Sequence, residues 1–284
     1  MPKIKTKHKK KWRPLLKNRN LIIGLIMVLI VVMVALLADV IAPARFDDAH
    51  MDNQLEAPSS RFLFGTDEFG RDLFSRVVYG SRISLRVALL AALIEISLGV
   101  TLGLMAGFYG GAIDRITSFF ADLTWSMPPI IMSMAVITVL GKGLDNVIIA
   151  IAIVSWAQYA RIVRAKTQSL KNMAFVETAI AFNERDVSIM LRYILPNILP
   201  SVIVLASLSI PATIMSTTAL SFLGLGAQPP SPDWGLALSS SMKNISNAPW
   251  LAIYPGIALV FTVFGFNLLG EGIRDLLDPR LRMR

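Results

Sequence analysis

Long runs of apolar residues alternate with short polar segments along the chain. About 20 apolar residues in a helix cross the roughly 30 Å hydrocarbon core of a bilayer, and six runs approach or exceed that length. The fourth run is short and must borrow residues from Leu144 or from the continuation past Arg161. The pattern predicts an all-α, polytopic membrane protein with six transmembrane helices, at 21–38, 87–108, 119–140, 147–160, 198–225 and 250–269.

The composition supports a membrane protein and argues against an enzyme. Hydrophobic residues make up 54% of the 284 residues and charged residues 17%, and the mean hydropathy is +0.60. With no cysteine and two histidines, the chain lacks a disulfide framework, a thiolate nucleophile and a Cys/His zinc cluster. We therefore expect no catalytic residues, no metal site and no cofactor.

The positive charge is concentrated at the start of the chain. Residues 1–20 hold nine of the 28 Lys and Arg residues and no acid, so the remainder balances 19 basic against 19 acidic residues. This is a basic tail, and we expect no nucleic-acid partner. A cleaved signal peptide is the competing interpretation, but the apolar run is long and 39–43 offers no good small-residue cleavage site.

The distribution of Lys and Arg predicts the orientation. With the N-terminus inside, the inside segments hold 20 of these residues and the outside segments hold 7, as the positive-inside rule requires. Both termini are therefore expected in the cytoplasm. The predicted regions are a basic cytoplasmic tail at 1–20, an N-terminal transmembrane helix at 21–42, an extracytoplasmic loop at 43–82, a five-helix core at 83–279 with a cytoplasmic segment at 161–197, and a C-terminal tail at 280–284.

The loop at 43–82 is rich in charge around residues 65–72. Its Gly and Asp residues favour turns. Asp72 and Arg76 would be i,i+4 partners if a helix began there. The segment predicts a solvated loop that leads into an interfacial helix.

Two predicted spans carry polar residues that lipid would penalise. An ionisable group such as Glu95 should face protein or water. In the fifth span, hydroxyl residues recur on one face beside Pro211. This face predicts either a hydrated path or close helix packing. The candidate translocation-pathway residues are Glu95, Ser209, Thr213 and Thr217.

The cytoplasmic segment 161–197 has helical periodicity. Phe175, Ala179 and Phe182 form an apolar ridge at i, i+4 and i+7, which predicts a surface for a partner. Asn183 separates this helix from a second helical piece at 186–193, and Asn is common where φ must be positive. The pattern indicates helix, tight turn, helix. An amphipathic helix lying on lipid is the alternative, which the acids on its polar face disfavour.

Several motifs resemble those of a known family. Glu177-Thr178-Ala179, Asn183 and Tyr193-Ile194-Leu195-Pro196 are similar to the cytoplasmic EAA motif in permease subunits of binding-protein-dependent ABC importers. The chain resembles the dipeptide/oligopeptide/nickel type, in the form with an extra N-terminal span. The resemblance extends from about residue 15 to Pro279, with further matching segments at 64–72, 107–115, 156–161, 219–226 and 228–230.

The resemblance implies a type I ABC importer permease fold in a prokaryotic cytoplasmic (inner) membrane. It implies a second homologous permease subunit, two cytoplasmic ATPase subunits and an extracytoplasmic substrate-binding protein as partners, besides membrane lipid. ATP hydrolysis would be supplied in trans, because the sequence has no G-x-x-x-x-G-K-[ST] motif. The residues implied in coupling to the ATPase are Glu177, Thr178, Ala179, Phe182, Asn183, Asp186, Leu195 and Pro196.

The chain also departs from the family pattern. Asn183 stands for the usual motif glycine, Thr178 for an alanine and Tyr193 for an isoleucine. Thr217 occupies a position where relatives often carry an acid. The substrate therefore stays open among dipeptides, oligopeptides and nickel or other metal chelates.

An ion-coupled secondary transporter or channel is the alternative function. It would use Glu95 and Asp122 as the coupling pair. Such transporters contain inverted repeats with interrupted helices, and no internal duplication is visible in the sequence.

Overall fold

The computed structural model describes residues 18–277, and within this range the fold is built from helices without a named β-strand. Residues 1–17 of the predicted basic tail and the tail predicted at 280–284 lie outside this range. The α-helices are α1 (Arg19–Leu36), α2 (Ala38–Ile41), α3 (Leu73–Tyr109), α4 (Gly111–Trp125), α5 (Pro129–Leu140), α6 (Leu144–Lys171), α7 (Ala174–Ala181), α8 (Asp186–Ser188), α9 (Leu195–Phe222), α10 (Trp234–Ser241) and α11 (Trp250–Leu277).

Five of the described helical segments are long and apolar enough to cross a membrane, and the number is six if one bent helix pair counts as a single span. The third span, predicted as continuous over 119–140, is this pair: α4 and α5 meet at 98°. Pro128 and Pro129 follow the break, and proline lacks the N–H that an uninterrupted helix needs. The fourth span is longer than its apolar run, because α6 extends in both of the predicted directions.

Helix α3 begins earlier than the apolar pattern predicted, at Leu73 rather than at 87. The Asp72 carboxylate accepts hydrogen bonds from the backbone N–H and the hydroxyl of Ser75, at 2.8 and 2.7 Å, and so caps the helix. The predicted Asp72–Arg76 pair is wrong. Arg76 forms an ion pair with Asp67 at 3.4 Å instead, because Asp72 is occupied by its capping role.

Close packing of α3 against α6 forms the centre of the fold. Gly99, Gly103 and Gly107 recur every four residues on α3 and face α6. A Cβ atom at Gly103 would lie 2.7 Å from the Ala160 carbonyl oxygen, and one at Gly107 would lie 2.6 Å from Thr167 Cβ. Small residues allow two membrane helices to approach to backbone contact, so larger side chains would separate this pair.

Helices from opposite ends of the chain, α1 and α11, also pack closely. A Cβ atom at Gly265 would lie 2.8 Å from Met27 Cβ, and one at Gly272 would lie 2.6 Å from Leu21 Cα. Beyond these contacts, Asn18 Nδ2 donates to Asp275 Oδ2 at 3.0 Å. The N-terminal span is thus attached to the last helix of the core.

The segment that leads into α9 differs from the predicted helix at 186–193. It consists of the short α8 followed by a π-helical segment, Ile189–Ile194, whose end is marked by donation from the Leu195 N–H to the Met190 carbonyl. The wider turn places Ile189, Met190 and Ile194 on the buried side of the segment. π-Helical turns are rare and often occur at functional sites.

Candidate functional site

The end of α7 forms the predicted tight turn. Asn183 has a φ of +53°, in the left-handed region that Asn tolerates better than most residues. Its N–H donates to the Ile180 carbonyl at 2.9 Å, and the Glu184 N–H donates to the Ala179 carbonyl at 3.1 Å. This pair of bonds is the Schellman motif, so Asn183 supplies the geometry that the usual motif glycine would supply.

The apolar ridge predicted on α7 is only partly correct. Phe175 is 42% exposed and Phe182 is 82% exposed, but Ala179 is buried. Ala179 and Val176, at i and i+3, belong to the same apolar cluster as Ile189 of the π-helical segment. Ala179 therefore packs α7 against the rest of this chain, where its small side chain allows close approach.

The remaining side chains of this region form a continuous exposed surface. We define the coupling surface as Phe175, Glu177, Thr178, Phe182, Asn183, Asp186 and Val187, all of which are exposed. The carboxylate of Glu177 has no side-chain partner within residues 18–277. Val187, at 59% exposure, lies four residues after Asn183 and was not predicted from the sequence. At the start of α9, Leu195 is half-buried and Pro196 is exposed.

Polar side-chain contacts connect the turn after α7 to the π-helical segment and to the end of α8. The Ser188 hydroxyl donates to Glu184 Oε1 at 2.6 Å, and Tyr193 also hydrogen-bonds this carboxylate. The Ser188 bond, followed by the Tyr193 bond, holds the pKa of Glu184 below its ordinary value. The departure from the motif isoleucine at Tyr193 thus supplies a hydroxyl that connects the π-helical segment to the turn.

Three of the four predicted pathway residues meet between α3, α6 and α9. Glu95 is 1% exposed, and Thr213 Oγ1 lies 3.4 Å from its Oε1. Ser209 shares a hydrogen bond with Tyr159 of α6. We call Glu95, Ser155, Tyr159, Ser209 and Thr213 the polar cluster, since Ser155 also lies beside the Glu95 carboxyl group. Sequence periodicity could not have found Ser155 and Tyr159, which lie on another helix.

The polar cluster is internal to this chain. Thr213 is 5% exposed and Thr217 is 6% exposed, and Thr217 donates to the Ile214 carbonyl of its own helix at 2.9 Å. The other acid of the ion-coupled alternative, Asp122, forms an ion pair with Arg161 at 2.6 Å. Glu95 and Asp122 therefore have separate partners. No group of three His, Cys, Asp or Glu side chains within the described part of the chain could hold a metal ion.

Comparison with known proteins decides the family. Residues 99–283 match the model of the family described as the binding-protein-dependent transport system inner membrane component. The chain belongs to this permease family. Residues 9–58 match a second model, the N-terminal TM domain of oligopeptide transport permease C. The permease is therefore a multi-pass inner-membrane transport subunit rather than an enzyme, and the ion-coupled alternative is excluded.

The permease has similar relatives over most of its length. It is 40% identical over 271 residues to the dipeptide transport system permease protein DppC of Alkalihalophilus pseudofirmus, covering 95% of this chain and 89% of the relative. It is also 40% identical over 272 residues to the glutathione transport system permease protein GsiD of Escherichia coli O157:H7, covering 95% and 90%.

A solved structure shares the fold. An inward-facing structure of the MetNI methionine ABC transporter matches with a TM-score of 0.54 and 18% identity, covering 71% of this chain and 96% of the matched chain. The all-α architecture is thus that of an ABC transporter permease.

Proposed function

We propose that this permease forms half of a translocation pathway for di- or oligopeptides, beside a second homologous permease. Two cytoplasmic ATPase subunits would supply ATP hydrolysis in trans, and an extracytoplasmic binding protein would deliver the substrate. The names of the dipeptide and glutathione relatives support peptides over nickel or metal chelates. Uptake of labelled dipeptide, but not nickel, by vesicles holding the complete complex is the direct test. Nickel uptake alone would overturn the peptide assignment.

The rigid connection from α7 to α9 is the observation that carries the coupling proposal. Val176 and Ala179 pack on Ile189 and Ile194 in one buried cluster, which continues to Ile198 in α9. Because the Schellman turn fixes the other end of α7, a force on Phe182 reaches the pore helix without a flexible joint. Closure of the ATPase dimer would then move α7 and α9 together as a lever.

The coupling surface has the chemistry of a docking site for the ATPase. Phe175 and Phe182 would enter an apolar groove, while the unpaired Glu177 carboxylate would accept hydrogen bonds from a basic side chain. Thr178, Asn183 and Asp186 would border this contact. Leu195 and Pro196, at the start of α9, would set the angle between lever and pore.

We further propose that the helices around the polar cluster separate during transport, so that Glu95, Ser209, Thr213 and Thr217 line the open path. Hydroxyl and carboxyl groups accept either each other or water as partners. The same side chains can therefore join the helices in one state and bind water in another.

Substitution of Glu95 tests whether this side chain acts through its hydrogen bonds or through its carboxylate charge. Glu95→Gln retains a donor and an acceptor, and we expect the complex to keep dipeptide uptake. Glu95→Leu removes this acceptor from Thr213, whose hydroxyl also donates to the Ser209 carbonyl at 3.1 Å, so the loss of stability should lie at the low end of about 1–3 kcal/mol. The measurements are vesicle uptake and the thermal unfolding midpoint of the purified complex. Loss of uptake in Glu95→Gln with an unchanged midpoint would instead indicate that the carboxylate itself is required.

The proposed orientation places both termini and the 161–197 segment in the cytoplasm. Because the chain has no native cysteine, single cysteines can be introduced at Ser59, Asn172 and Asn247, all of which are exposed. We expect a membrane-impermeant maleimide to label positions 59 and 247 in intact cells, and position 172 only after permeabilisation. Labelling of position 172 in intact cells would contradict the orientation.

A further inference from the structure

An apolar cavity separates one half of α1 from α11. The two helices touch at Gly24, Gly265 and Gly272, in the halves nearest the chain termini. In the other halves, the space between Val34 and Ala258 widens into a cavity of about 280 Å³, closed behind by α3 and α10. The N-terminal span is therefore tightly packed at one depth of the membrane and separated from α11 at another.

Four side chains in the walls of this cavity carry hydrogen-bonding groups, Ser81, Trp234, Tyr254 and Thr262, and all but the Tyr254 hydroxyl donate to a backbone carbonyl. Ser81 Oγ donates to the Val78 carbonyl at 2.6 Å, and Thr262 Oγ1 donates to the Ala258 carbonyl at 2.7 Å. Trp234 Nε1 donates to the Val77 carbonyl at 3.0 Å. A buried water needs two to four polar partners, and a peptide needs partners for its backbone. The cavity suits neither.

The cavity opens sideways toward the bilayer. Ile257 and Phe261 line both the cavity and a shallow apolar groove of about 630 Å³ along α11. Ile253, Val260 and Phe264 continue this groove and are each more than half exposed. The opening therefore lies along an apolar strip of a membrane-spanning helix, where acyl chains of lipid are the surrounding solvent.

We propose that the cavity holds one acyl chain of a phospholipid from the leaflet opposite the chain termini. The chain enters along the groove on α11 and fills the space between α1 and the core. Lipid is the occupant that the surroundings supply, and an acyl chain needs no hydrogen-bond partner. This proposal is independent of the proposed substrate and coupling mechanism.

Fluorescence of Trp234 provides the test, because this side chain lines the cavity but is only 2% exposed. The full-length chain, with its four other tryptophans changed to Phe, is reconstituted in vesicles of dibrominated or ordinary phosphatidylcholine. Bromine quenches tryptophan on contact, so bromination should lower Trp234 emission about twofold or more, since a chain in the cavity lies within contact distance. Ala258→Phe fills the cavity and should abolish this quenching.

Two further variants serve as controls for the bromine-quenching experiment. Ile23→Phe adds a similar side chain at an exposed position of α1 outside the cavity and should leave the quenching unchanged. Val34→Phe fills the cavity from α1 and replaces Ala258→Phe if that variant does not fold. Absence of quenching, or equal quenching in the filled variants, would overturn the proposal. Quenching by aqueous iodide would assign the cavity to water, and a cross-link between copies through Ile257→Cys would assign it to a second copy.

Discussion

Glu177→Lys should abolish substrate import while the permease still inserts into the membrane and still receives substrate from the binding protein. The side chain is exposed and unpartnered within the described structure, so its reversal leaves the fold intact. On the coupling surface, the introduced lysine would replace the proposed attraction between Glu177 and the ATPase by a repulsion. Breaking a charged contact at an interface costs about 2–5 kcal/mol, so stimulation of ATPase activity by loaded binding protein should fall by more than about tenfold.

A second charge reversal serves as the control. Lys166→Glu changes an exposed residue of α6 outside the coupling surface and should leave import and ATPase stimulation near their original values. The unfolding midpoints of both variants should match that of the unmodified permease. Normal import and stimulation in Glu177→Lys would refute the lever and favour a lipid-facing role for α7.

Substitutions of Asn183 test the geometry of the turn without changing the charge of the coupling surface. Asn183→Gly should be tolerated, because glycine enters positive φ more easily than asparagine. Asn183→Val should lose coupling, because a β-branched residue resists the left-handed conformation that the turn requires. Equal activity in the two variants, measured by the same ATPase stimulation, would show that the turn does not transmit the motion.

Gly99→Ala should prevent normal packing of the core, although it adds one methyl group. The new Cβ would lie 2.5 Å from the Trp156 carbonyl oxygen and against Tyr159. The backbone of α6 would have to move, and Tyr159 would be displaced from Ser209 in the polar cluster. Overpacking usually costs about 1–3 kcal/mol, and a clash with backbone belongs at the upper end of that range. The measurements are the yield of monodisperse protein and its unfolding midpoint.

Gly256→Ala is the matched control for this change. A Cβ at Gly256 would meet its nearest neighbour, Leu238 Cδ2, at 3.9 Å, an ordinary contact distance. Because alanine is a better helix former than glycine by about 1 kcal/mol, this variant should be as stable as the original or more stable. Equal behaviour of the two variants would contradict the close approach of α3 and α6.

The transmembrane helices could be predicted because each needs only a long apolar run, a local property of the sequence. The errors arose where local signals compete. Pro128 and Pro129 lie within an apolar run that reads as continuous, yet the chain bends there by 98°. Asp72 was available either as a helix cap or as a partner of Arg76, and only the folded loop brings Asp67 close enough to decide.

In the candidate site, too, the features that depend on one residue could be predicted and those that depend on contacts between distant segments could not. The Asn183 turn could be predicted from the intrinsic preference of one residue for positive φ. The burial of Ala179 could not, because it depends on a π-helical segment that brings Ile189 against α7. Glu95 and Thr213 were each recognised as unusual in a membrane, but their contact joins helices that are distant in sequence, and periodicity carries no information about such pairs.

The attachment of α1 to α11 also determines when the N-terminal span can find its place. The glycine contacts of α1 are made with α11, the last of the described helices in chain order. At about 5–20 residues per second, roughly 12–48 seconds pass between completion of α1 and completion of α11. Throughout that interval, the packing face of α1 must be covered by lipid or by a temporary protein contact. Final docking of α1 thus has to wait until α11 has been synthesised.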